Sequence, residues 1–123
     1  MPSWRSKLPI VLVVLASFAL PARAADDAVL GKWNCVAESS EGTVASVWHI
    51  KETGGALQVD IEIETVNHPG QQVELEGRTL TLAVEYQSVL YDLSVTFDGD
   101  AFAGTWSGNG LQGPLKGRRA STS

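Results

Sequence analysis

The sequence is poor in the residues that carry most familiar chemistry, with one cysteine, one methionine and two histidines in 123 residues. Cys35, as a lone thiol, cannot close a bond within the chain, which excludes the disulfide framework that staples many small secreted domains. Followed by Val36 and in phase with Trp33, it reads as a small buried hydrophobe, and no neighbouring base marks it as a nucleophile. His49 and His68 stand far apart, and neither has a second ligand at the i+2 or i+4 spacing of a metal site. No Gly-x-Ser-x-Gly elbow is present. Neither a cofactor nor a bound metal is expected, and the expectation for the chain is a non-enzyme.

Basic residues are also scarce, and their placement sharpens the point. Arg5 and Lys7 precede an apolar stretch from Leu8 to Leu20, which Pro21 ends and Ala22-Arg23-Ala24 follows. This is the three-part pattern of a secretory signal peptide over residues 1–24, cut between Ala24 and Ala25. The apolar stretch is shorter than the ~20 residues a permanent membrane helix needs, so no membrane anchor is expected after cleavage. The protein is therefore expected to be exported, either periplasmic or secreted. The leader holds three of the nine basic residues and none of the fourteen acidic ones, so six against fourteen remain, a formal charge of −8. Such an acidic surface argues against nucleic acid as a partner.

Helical periodicity is missing beyond residue 24, whereas apolar and polar residues alternate in stretches separated by turn-forming residues. Leu57, Val59, Ile61 and Ile63 share one face of the stretch Leu57 to Val66, opposite Gln58, Asp60, Glu62 and Glu64. Leu80, Leu82, Val84 and Tyr86 repeat the pattern, as do Val89, Tyr91, Leu93, Val95 and Phe97. Less regular strands are expected at Gly31 to Ala37, Val44 to Lys51, Gln72 to Glu76, Phe102 to Trp106 and Leu115 to Arg119, the last beginning just after Pro114. Turns are expected at Ser40-Glu41-Gly42, Gly54-Gly55, His68-Pro69-Gly70, Gly77, Asp98-Gly99-Asp100 and Gly108-Asn109-Gly110.

About eight short antiparallel strands in chain order imply an all-β, up-and-down barrel over residues 30–119, with 25–29 a flexible lead-in and 120–123 a disordered tail. Trp33, Trp48, Phe97, Phe102 and Trp106 are in phase with the interior, bulk enough to fill a narrow barrel. The carboxylates Asp60, Glu62 and Glu64 lie on a solvated strand face, and Asp98-Gly99-Asp100 reads as a plain hairpin turn, not a calcium loop.

Gly31-x-Trp33 on the first strand, Asp98-Gly99-Asp100-x-Phe102-x-Gly104-x-Trp106 near the end and the closing Gly117-x-Arg119 resemble the calycin-like (lipocalin-like) small barrels of exported bacterial proteins. Those domains occur alone or appended to secreted hydrolases. The resemblance implies a barrel end plugged by Trp33 under Arg119, with Arg118 as the alternative. It also implies a monomeric binding module, of a kind that takes a small apolar ligand or an exported partner protein. For a small ligand the expected lining is Trp48, Tyr86, Tyr91 and Phe102, against the competing reading of an interior packed solid. Lipocalin-like protease inhibitors suggest a second role, in which Ala25 to Val29 would enter the cleft of an exported hydrolase. A structural envelope protein is the third.

Overall fold

The computed structural model describes residues 27–120; the expected signal peptide, its cleavage site at Ala24 and Ala25 and the last three residues lie outside them. Nine strands follow one another: β1 (Gly31–Ser39), β2 (Gly42–Thr53), β3 (Ala56–Ile63), β4 (Val66–Pro69), β5 (Gln71–Glu76), β6 (Thr79–Tyr86), β7 (Val89–Asp98), β8 (Ala101–Gly108) and β9 (Leu111–Arg119). Each pairs antiparallel with its chain neighbours except at β4 and β5, and β9 returns to pair with β1. The result is a nearly closed up-and-down barrel whose single seam lies between β4 and β5.

The seam explains the extra strand. Val66–Pro69 pairs with β3, and the turn before it falls on Glu64 and Thr65, both at positive φ (53° and 68°), as a two-residue primed hairpin turn requires. Residues expected to form a turn, His68-Pro69-Gly70, instead end β4 and lead through Gly70 alone into β5, and the strand expected to run to Val66 ends at Ile63. Gly70 crosses the barrel wall, donating its N–H to the Val59 carbonyl at 2.7 Å. His68 spans the gap from the other side, its Nδ1 lying 3.2 Å from the Glu85 carbonyl oxygen and its ring edge-on to Tyr86.

The last strand also starts earlier than expected. Pro114 lies inside β9, opposite Thr105 of β8; β1 begins to pair with β9 only at Leu115, so the proline sits where the strand has a neighbour on one side.

The interior is set by complementary alternation on β8 and β9. Phe102 faces Gly117, Gly104 faces Leu115, and Trp106 faces Gly113, so each large side chain stands opposite a small or absent one. A Cβ at Gly117 would collide with the Phe102 ring, one at Gly113 would come within 2.8 Å of the Trp106 indole nitrogen, and one at Gly104 would lie 2.6 Å from the Val95 Cα. Gly113 thereby leaves Trp106 room to donate its indole N–H to the Glu38 carbonyl at 3.0 Å.

One end of the barrel is shut. Trp33, with no solvent exposure, packs on Phe97 and Phe102 at ring-centroid distances of 4.9 and 5.6 Å, and Phe102 in turn meets Trp48 at 4.9 Å. Arg119, the strand partner of Trp33, lays its guanidinium 4.3 Å from the indole centroid. It also donates to the carbonyls of Leu30 and Ala28 at 2.7 and 2.8 Å and to the Asp100 carboxylate at 2.9 Å. Gly31, at φ +123°, sits beneath it where a side chain would press on the guanidinium.

The described part of the segment read as a flexible lead-in, residues 27–29, is tied into this cap. Residues 27–29 form a helical turn, Val29 is buried at 1% exposure, and its carbonyl accepts the Trp33 indole N–H at 3.0 Å. At the other terminus Ala120, expected in the tail, donates to the Lys32 carbonyl at 2.8 Å.

Two substitutions test this account by urea denaturation. Arg119→Ala removes the cation–π contact and three charge-assisted hydrogen bonds and should cost about 3 kcal/mol, with Arg119→Lys recovering less than half because an ammonium lacks the planar fork. Gly117→Val should cost at least ~2 kcal/mol by driving Phe102 from its rotamer; a neutral result would deny the β8–β9 complementarity any part in stability.

Candidate functional site

Strand direction decides which interior residues meet. The four turns at Ser40-Glu41, Glu64-Thr65, Gln87-Ser88 and Asn109-Gly110 gather at the end opposite the Trp33–Arg119 cap. Side chains just before or after those turns line that end of the interior. Here the strands diverge around a cavity of about 260 Å³.

Its walls are Ala37, Ser46, Trp48, Ile61, Ile63, Val84, Tyr86, Tyr91, Leu93, Trp106 and Leu115, and its rim is formed by Ser39, Glu41, Val44, Gln87 and Leu111. Trp48 is 1% exposed and forms the inner wall, its indole N–H donating to Ser46 Oγ at 3.2 Å. Tyr91 and Trp106 meet edge to face at 5.8 Å on the opposite side. Because both cavity-lining indoles already donate to protein oxygens, they present ring faces and edges, not free donors, to an occupant.

Of the four residues expected to converge on an opening, Trp48, Tyr86 and Tyr91 line this cavity. Phe102 does not: it follows the turn at Gly99-Asp100, on the shut end, and its ring is enclosed by Trp33, Phe97 and Trp48. Trp106, read as interior filling, is a wall residue instead. The signal that separates the two is distance from the turn: Trp106 and Tyr91 lie near the open end of β8 and β7, whereas Phe102 is the second residue of β8.

The remaining reactive side chains are held away from the cavity. Cys35 is 2% exposed, and burial pushes its thiol from the ordinary 9.0 up to about 12, only partly offset by hydrogen bonds to the Ser46 side chain and the Lys116 backbone. His49 faces outward, 3.2 Å from Glu62 across the β2–β3 ladder, with both side chains well solvated. Among the described residues no three His, Cys, Asp or Glu side chains gather as a metal site would require. A polar groove runs outside the seam between His68, Pro69 and Gln71 on one bank and Glu85, Gln87 and Ser88 on the other.

The buried thiol has a thermodynamic consequence. The unfolded chain loses this proton near pH 9 while the folded one keeps it until about pH 12, so the contribution of Cys35 to stability is intact below pH 9 and declines as pH rises. The difference in unfolding free energy between wild type and Cys35→Ala should be flat from pH 6 to 8. It should then shrink above pH 9 by no more than about 1.4 kcal/mol per pH unit, a comparison in which lysines and tyrosines cancel.

No family model matches the chain, and no curated protein matches it. Solved structures do. A redesigned β-barrel superposes with a TM-score of 0.62 at 15% identity, covering 79% of this chain and 95% of its own. The redesigned barrel mFAP1 bound to DFHBI gives a TM-score of 0.58 at 15% identity over 78% of this chain and 98% of that one. A mutant of the fluorescent protein UnaG gives 0.53 at 13% identity over 77% and 98%. At these identities the likeness is one of fold alone, that of a small, nearly closed antiparallel barrel.

Proposed function

We propose that this chain is an exported, non-catalytic binding module that takes a small, largely apolar molecule into the open end of its barrel. The observation that carries the reading is the uneven filling of the interior, with aromatic rings packed solid under Arg119 and an aromatic-walled cavity of about 260 Å³ at the other end. An engineered core cavity of about 150 Å³ suffices for benzene, so this volume suits a body of one or two rings. The barrel mFAP1, of the same fold, is bound to the small molecule DFHBI, which supports the use of such an interior for a ligand of that size.

The alternative of a hydrolase inhibitor acting through residues 25–29 is less well supported. Arg119 grips the carbonyls of Ala28 and Leu30, and Val29 is buried beneath Trp33, so this stretch would have to leave the barrel cap before entering a cleft.

Tryptophan fluorescence tests the proposal. Trp48 and Trp106 border the cavity while Trp33 is sealed in the cap, so titration with two-ring aromatic compounds should change the emission of the first two and leave a constant residue from the third. Ala37→Trp, which adds bulk at the cavity wall, should abolish the response while the unfolding free energy measured in urea stays within about 1 kcal/mol of wild type. A flat titration of the wild-type protein across a broad panel of such compounds would refute the reading.

A further inference from the structure

We infer that the cavity selects an organic cation, an aromatic or alkyl ammonium, over neutral and anionic molecules of the same shape; this inference rests on the cavity reading above. Its first support is the distribution of charge between the two ends of the barrel. Lys32, Lys51, Arg78, Arg118 and Arg119 all lie toward the capped end, on or beside the chain termini and the β2–β3, β5–β6 and β7–β8 turns, and Lys116 projects from mid-strand on β9. The four turns of the open end, with five residues on either side of each, contain no lysine or arginine. They carry Glu38, Glu41, Asp60, Glu62, Glu64, Glu85 and Asp92. The imidazole of His68 is the basic group on this half, and it is engaged at the seam with the Glu85 carbonyl and the Tyr86 ring.

The second support is the wall chemistry. Glu41 is the charged residue of the cavity lining, exposed at its lip, and the rings of Trp48, Trp106, Tyr86 and Tyr91 surround the space behind it. Aromatic faces attract a cation through the ring quadrupole, most strongly for tryptophan, and the attraction grows as the cation is desolvated. A buried carboxylate would need a basic side chain to hold it, and this lining supplies none. An acidic lip ahead of a low-dielectric aromatic pocket concentrates field lines so that cations are enriched at the opening and anions are depleted.

Three probes with one ring system separate the charge claim from the cavity claim: 2-naphthylmethylammonium, 2-naphthylmethanol and 2-naphthoate, each titrated into the purified protein by calorimetry at low and high sodium chloride. The ammonium should bind at least about ten-fold more tightly than the carboxylate at low salt, with the alcohol between them and the gap closing as salt rises. Glu41→Gln should weaken the ammonium about three-fold and leave the alcohol unchanged, and Glu41→Lys should bring ammonium and carboxylate to parity. If the carboxylate binds the wild-type protein as tightly as the ammonium, the charge inference is overturned and the cavity reading stands. If none of the three binds, both fall.

Discussion

The structure depends on a steric constraint between two neighbouring strands. On β8 the inward sequence is large, small, large, and on β9 it is small, large, small, so Phe102 and Trp106 occupy the space left by Gly117 and Gly113 across the ladder, while Gly104, opposite Leu115, lets the β7 backbone come close. A small barrel has too narrow a lumen for bulky residues at adjacent inward positions, and close packing tolerates neither overlap nor void. That complementarity fixes the height of each ring along the barrel axis. Phe102 is thereby placed low, in the stack with Trp33, Phe97 and Trp48, and Trp106 is placed high, where its indole reaches the Glu38 carbonyl and forms a wall.

From this follows the contrast between the two ends. Below Trp48 the lumen is filled by rings in edge-to-face and tilted contact, and Arg119 closes the base by joining the first strand, the segment before it and the β7–β8 turn. Above Trp48 the rings stand around the perimeter and leave the axis empty. The same residue types thus do two jobs, and the difference lies in how many reach the axis at a given height. Charge adds a second asymmetry: carboxylates stand at both ends, but the lysines and arginines gather at the base, so the acids of the open end are left unbalanced.

The strand pattern was legible because a half-buried sheet imposes a period of two. The inward sets Val59-Ile61-Ile63, Leu80-Leu82-Val84 and Leu93-Val95-Phe97 are buried as their alternation requires. What escaped the pattern has identifiable causes. β4 was hidden because Pro69 and Gly70 carry strong turn chemistry while the true turn uses Glu64 and Thr65, residues that seldom adopt positive φ. β9 looked short because Pro114 reads as a boundary unless one knows that β1 leaves that stretch of β9 uncovered. Val29 looked peripheral because its burial depends on Arg119, 90 positions away in the chain, reaching its neighbours' carbonyls. For the cavity, phase identified the inward face bearing Trp48, Tyr86 and Tyr91, but phase is blind to depth. Phe102 shares that face and belongs to the other end. Whether an interior is hollow depends on summed volumes across nine strands, a quantity no single stretch of sequence contains.

The cap also determines how the molecule can be handled and oriented. Because Arg119 and Ala120 are bound to Leu30 and Lys32, the two ends of the described chain lie side by side at the base of the barrel, away from the cavity. A tether, dye or fused domain joined there would point the opening outward into solution, which suits this scaffold to immobilisation on a sensor surface with its binding face unobstructed.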